Sequence, residues 1–432
     1  MSIHIPAVTA RQLRMQLVNS PVAPGSLAHL INVGTDPLLD ALEQHYFVSD
    51  LAEGVGCFKY LEGDYGSGKT QFINSLAQRA QRNGIVSAIV NVGQECPFSS
   101  PLAILHSIMA GFHTPQRDDG TVEDGRGIEV LIRSWIQSKL REHGIGPCQE
   151  VPDPIRRSIS QKFTSQWLGA PDMQMAVGLL ALASRLLEME CGAEMSAGDY
   201  ELISWVRGDD VRSKGLAERG LHRAARDDTA FSRLKTVVEF LRRRLGYRGF
   251  FLAFDEGTRT VSFRRGSAKR NQAIENMLTM INENGDGKFG GVMFLYAATP
   301  DFRSEVIANY VALRDRIGSV AFQPGRPMVP LIDLSQQNND ETLQALGERL
   351  LDVFEASDSA VHWDREMQQG NVGAVIAAER DRGGFLNAVP PRFFVYHFCR
   401  LLEDQCSNGE RQLSAAEASA FVDGHWLSEE VD

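Results

Sequence analysis

Eight residues constrain this chain more than any others: Gly63-Asp64-Tyr65-Gly66-Ser67-Gly68-Lys69-Thr70 fill every fixed position of a G-x-x-x-x-G-K-[ST] loop. Just upstream, Cys57-Phe58-Lys59-Tyr60-Leu61 reads as a strand. Downstream, Gln71 to Arg82 carries Phe72, Leu76 and Ala80 at helical spacing. The loop therefore has the strand-loop-helix setting that separates a phosphate-binding loop from a glycine-rich turn with a chance Lys-Thr.

Each residue type in the loop has its own chemical reason. Gly63, Gly66 and Gly68 are expected to take positive φ and let the backbone approach a polyphosphate, so that successive N–H groups point inward at a helix N-terminus. Lys69 is expected to reach the terminal phosphates and the Thr70 hydroxyl to ligate Mg²⁺. Asp64, Tyr65, Ser67 and Gln71 complete the candidate nucleotide-binding set.

A chain of 432 residues suggests two or three units, and 43% hydrophobic residues suffice for a sizeable core. The net charge of -11 argues against nucleic-acid binding by the whole surface, though not by a local basic face. The six cysteines are scattered, with neither a C-x-x-C pair nor metal-ligand spacing, as in a reduced protein. No leader pattern and no run of about eighteen apolar residues is evident. The expectation is a cytoplasmic protein with no membrane segment.

Along the chain, Arg11 to Val18 reads as a short helix, and Asp36-Pro37 as a cap and first-turn proline opening a helix into Phe47. The segment Val33-Gly34-Thr35 is either an adenine contact or part of a helix entry packed on a sheet edge. Val86 to Val92 reads as a buried strand, Pro101 as the start of a helix, and Thr114 to Gly127 as an exposed loop. Residues 128–245 read as almost wholly helical, with Val237, Phe240 and Leu241 leading into the next strand.

The second anchor is Phe250-Phe251-Leu252-Ala253-Phe254-Asp255-Glu256, an apolar strand ending in two acids. After a phosphate loop this reads as a Walker B strand, with Asp255 holding Mg²⁺ and Glu256 polarising an attacking water. The alternative is a strand that merely ends in acids. Arg259, Arg264, Arg265, Lys269 and Arg270 follow, readable as a solvated charged loop or as a grip on a nucleic-acid backbone. Val292 to Ala298 reads as another strand, after which Thr299 is a candidate sensor of the γ-phosphate or simply a Thr-Pro turn. The helix after Asp301 is expected to run to Gly318, so Arg314 and Arg316 are either arginine fingers for a neighbouring subunit or surface ion-pair residues. Ser335 is the expected cap of the following helix. Pro390-Pro391-Arg392 starts a lid helix, whose Arg392 is the candidate to fold over the phosphates or a first-turn surface arginine.

This order of motifs resembles that of AAA+ ATPases. Tyr60 to Thr70, Gly246-Tyr247-Arg248-Gly249, Ala298-Thr299-Pro300-Asp301-Phe302 and Asn387 to Phe394 narrow the resemblance to the BrxC/BrxD-like P-loop family of bacteriophage-exclusion (BREX) defence islands, over about residues 25–405. A departure stands at Gly257-Thr258-Arg259, where a more acidic or apolar continuation is expected.

The resemblance implies an α/β fold: a P-loop core with a central parallel sheet flanked by helices, a large helical insertion and a helical C-terminal lid. The expected division is 1–127 and 246–330 for the core, 128–245 for the insertion and 331–432 for the lid. It further implies Mg-ATP binding and hydrolysis through Lys69, Thr70, Asp255 and Glu256 in antiviral defence. The implied partners are a homo-oligomer, double-stranded DNA and other phage-defence proteins. An ATP-gated scaffold with little turnover is the competing reading.

Overall fold

The computed structural model describes residues 5–19, 24–117, 120–121, 123–147, 149–164, 167, 169–257, 267–384 and 389–425. Among them lies one five-stranded parallel sheet: β1 (Cys57–Glu62), β2 (Val86–Asn91), β3 (Phe250–Asp255), β4 (Val292–Ala298) and β5 (Leu331–Asp333), in the order β2-β3-β4-β1-β5. Every residue of β3 and β4 is buried, which is why both read as continuous apolar runs rather than alternating ones. The fold is α/β, with helices flanking the sheet as the resemblance implies.

The chain divides into two compact units. Residues 42–60 and 79–319 form one, and residues 1–41, 61–78 and 320–432 the other. In the first unit the register pairs Asn91 with Asp255 and Phe254 with Tyr296, so β2, β3 and β4 end together. Aromatic rings fill its core beside those ends, with Phe98 against both Phe254 and Tyr296 at 5.1 and 4.8 Å between centroids. The same unit holds the helices Ile128–Glu142, Asp153–Thr164, Met173–Glu190, Ala197–Arg207, Lys214–Glu218 and Asp227–Glu239. Arg233 is buried among them, stacked over Trp205 at 4.7 Å and bonded to the Arg223 carbonyl at 2.6 Å. The helix Asp227–Glu239 is joined to the helix Pro101–Gly111 by Asp227, whose carboxylate accepts from Ser100 Oγ and Leu102 N, both at 2.8 Å.

In the second unit, the helices Ala7–Asn19, Asp340–Ser357, Arg365–Gly383 and Pro391–Asn408 bury a common core that includes Leu13, Leu350, Phe354, Ile376, Phe394 and Phe398. One His–Glu hydrogen-bonded pair is sealed inside it. His397 Nδ1 lies 2.6 Å from Glu379 Oε1, both side chains being fully buried, and Glu379 Oε2 has no partner among the described residues. Burial pushes the Glu379 carboxyl above its ordinary 4.5, with His397 opposing the shift. A carboxyl raised in the folded state contributes stability below pH 4.5 that is lost as pH climbs through its folded value. Glu379→Gln is therefore expected to match the parent Tm near pH 4.5 and to exceed it at pH 8 by about 2–4 °C. Parallel Tm curves against pH would reject this account.

Several sequence expectations are corrected. The helix expected from Asp301 to Gly318 is two helices, Pro300–Glu305 and Val311–Ile317. Asn309 breaks it by donating its side-chain amide to the carbonyls of Ser304 and Glu305, at 3.2 and 3.1 Å. Ser335 is not the cap of the following helix. Asn339 is, accepting from Thr342 N at 2.8 Å. Asp36 is the first residue of its helix rather than the cap, and that helix continues through a π segment, Glu43–Asp50. Phe240 and Leu241 end a helix in a π turn, Phe240–Arg244, and β3 begins only at Phe250.

Candidate functional site

The loop expected to bind phosphate runs from the end of β1 into the helix Lys69–Arg82. Gly66 and Gly68 adopt φ of +77° and +96°, values that a side chain would strain. Gly63 differs from expectation, since its φ is not positive. It is required instead by close packing, because a Cβ there would overlap Ser67 Oγ and approach Leu334 Cβ to 3.4 Å. Ser67 N closes the turn on the Asp64 carbonyl at 3.1 Å. Lys69 Nζ donates to the carbonyls of Gly63 and Asp64 at 2.8 and 2.9 Å, so the ammonium lies along its own loop.

The arrangement suits a polyphosphate on two observations. The first turn of the Lys69 helix presents backbone N–H groups next to left-handed glycines, an anion-binding concavity. Ser67 Oγ is buried without a hydrogen-bond partner among the described residues.

Arg392, in the first turn of the helix Pro391–Asn408, is brought onto this loop within the same compact unit. Its backbone N donates to the Gly66 carbonyl at 3.3 Å, its guanidinium bonds to Tyr65 Oη, and its Cζ lies 4.8 Å over the Tyr65 ring. That geometry fixes a cation beside the loop. Asn338 was not singled out from the sequence. Its side-chain amide donates to the Ser67 carbonyl at 3.4 Å, and nothing in the polar run Gln336-Gln337-Asn338-Asn339 distinguishes it. Gln71 donates to the carbonyl of Ala28, which ties the N-terminal segment to the loop helix. Gly34, a residue of the candidate adenine segment, packs on Thr342, where a Cβ would come within 2.8 Å of Cγ2.

The acidic pair belongs to the other unit. Asp255 closes β3 and is 3% exposed, whereas Glu256 is exposed and left-handed with φ +57°. Asp255 Oδ1 accepts from Glu256 N at 2.8 Å. The departure noted at Gly257 has a steric cause: a Cβ would overlap the Tyr296 ring and lie 2.7 Å from the Ala297 carbonyl oxygen. Thr299 follows β4 and starts the helix Pro300–Glu305, accepting from Phe302 N at 3.0 Å.

The arginines divide. Arg314 is exposed and pairs weakly with its neighbour Asp315 at 3.6 Å, while Arg316 is tied to Asn282 Oδ1 at 2.7 Å and to the Ala312 carbonyl at 2.8 Å. Lys269 is exposed on the first turn of the helix Ala268–Gly285, but Arg270 is buried and donates to the Glu305 carbonyl at 2.9 Å. Its guanidinium thus serves a helix end rather than a surface for nucleic acid. Arg259, Arg264 and Arg265 lie outside the described residues, as does Thr258.

Among the described residues no cluster of three or more His, Cys, Asp or Glu is built to hold a metal. Such a donor set does not disagree with magnesium, which takes one or two protein ligands and fills its octahedron with phosphate oxygens and water. No helix among the described residues is long and apolar enough to cross a membrane.

Comparison with known proteins adds a single finding. A family model described as BREX system ATP-binding protein BrxC/D matches residues 12–417. No curated protein and no solved structure matches the chain.

Proposed function

Because the chain belongs to the family of BREX system ATP-binding proteins BrxC/D, we propose that it is a Mg-dependent ATP hydrolase of anti-phage defence, acting as an oligomer and coupled to DNA. Membership itself carries the ATP-binding role in a defence system. Hydrolysis is the further step, and the observation that supports it is Glu256, an exposed carboxylate in a left-handed turn directly after the buried Asp255. A water nucleophile needs such an acceptor.

In this reading the amides after Gly66 cradle the phosphates, and Lys69 shifts its ammonium from the loop carbonyls to the β- and γ-oxygens. Thr70 and Asp255 would hold Mg²⁺, which when bound neutralises charge on the transferring phosphoryl. Glu256 accepts a proton from water and orients it. Thr299 reads the γ-phosphate, and Arg392 clamps it from the lid. Arg314 is the better finger toward a neighbouring subunit, since Arg316 is engaged by Asn282.

Steady-state phosphate release from Mg-ATP, with and without double-stranded DNA, tests the proposal. Turnover that DNA stimulates severalfold and that chelation of Mg²⁺ abolishes is expected. Bound nucleotide at one per chain with negligible release would instead favour an ATP-gated scaffold. Exposed Met173, Met195 and Tyr200, all on the helical insertion, support that second reading as a surface for a protein partner.

A further inference from the structure

Among the described residues Glu256 is the one residue other than glycine with positive φ. A glutamate gains nothing locally from that conformation and is held there by what surrounds it. Three fixtures surround it. On the N-terminal side, Asp255 is buried at the end of β3 and accepts from Glu256 N at 2.8 Å. On the C-terminal side, Gly257 fits only because it has no Cβ. The third is Tyr296, whose hydroxyl donates to the Gly257 carbonyl at 3.0 Å in a buried bond.

Tyr296 is itself held firmly. It sits on β4 opposite Phe254, is fully buried, and packs its ring against Phe98 at 4.8 Å and Phe302 at 5.3 Å. A hydroxyl on so rigid a ring is a fixed donor. It fixes the carbonyl of Gly257, one residue beyond Glu256, and with Asp255 Oδ1 on the peptide before, the left-handed residue is held from both sides.

We propose that Tyr296 is a positioning residue, its hydroxyl strapping the Gly257 carbonyl so that the Glu256 backbone stays left-handed and its carboxylate stays in one place. The inference rests on the reading of Glu256 as the water-activating base. Tyr296→Phe retains the ring and removes one donor, so the core packing survives. Turnover is expected to fall about tenfold, while Kd for a nonhydrolysable ATP analogue changes less than about twofold. In a Glu256→Gln background the same substitution should slow residual turnover no further, because the strap acts through that side chain.

A second readout needs neither nucleotide nor turnover. Asn tolerates the left-handed region better than Gln, so Glu256→Asn should melt about 1–2 °C above Glu256→Gln, and that advantage should disappear when Tyr296 is also Phe. Wild-type turnover in Tyr296→Phe, or an equal loss in both backgrounds with the Asn advantage unchanged, overturns the proposal. Wild-type turnover in Glu256→Gln overturns instead the reading of the base, and the melting comparison still decides whether the strap exists.

Discussion

Lys69→Ala is expected to weaken ATP binding by about 100-fold or more while leaving the protein folded. The ammonium lies along its own loop, on the carbonyls of Gly63 and Asp64 at 2.8 and 2.9 Å, so it is one side-chain rotation from the phosphates that the loop is proposed to hold. Charge-assisted bonds to phosphate contribute about 1.5–3 kcal/mol each, and losing two of them corresponds to about two to four powers of ten in Kd. Titration of a fluorescent ATP analogue measures the effect, and a Tm within about 2 °C of the parent shows that the fold is retained. A variant that binds the analogue with parental affinity would remove Lys69 from the site.

Glu256→Gln is expected to do the reverse, keeping nucleotide affinity within a few-fold and reducing phosphate release by about 10²–10³-fold. Gln has nearly the same shape, keeps the main-chain contacts of Glu256, and cannot accept a proton from water. The same φ of +57° must still be supported by Asp255 and Gly257, so binding and fold are spared while the chemistry is lost. Single-turnover and steady-state phosphate release on one preparation separate the two effects. Undiminished turnover would assign the base elsewhere. Together the two variants divide the proposed function into its binding half and its chemical half.

Much of this was legible beforehand because the relevant constraints are local. Glycines at Gly66 and Gly68 announce positive φ, an unbroken apolar run at Val292 to Ala298 announces a strand buried on both faces, and Pro390-Pro391 announces a helix start. Where reading failed, two local signals competed. Ser335 and Asn339 are both good caps, and only the path of the chain after β5 decides that Asn339 takes the role. Asn309 reads as an ordinary helix-surface residue until its amide is seen on the carbonyls of Ser304 and Glu305.

The sequence by itself determined the phosphate loop, the Asp255-Glu256 strand end and the family resemblance, since each depends on residue types at short fixed spacing. Tertiary structure alone decided which charges are available and which are absorbed. Arg270 and Lys269 are adjacent and alike in composition, yet one is sealed under Glu305 and the other faces solvent, because a helix turns successive side chains about 100° apart. It also decided that Arg392 lies on Tyr65 and Gly66, 327 and 326 positions away in the chain, and that Tyr296 reaches the carbonyl of Gly257. Contacts between residues so far apart follow from how helices and strands pack, which no local pattern encodes.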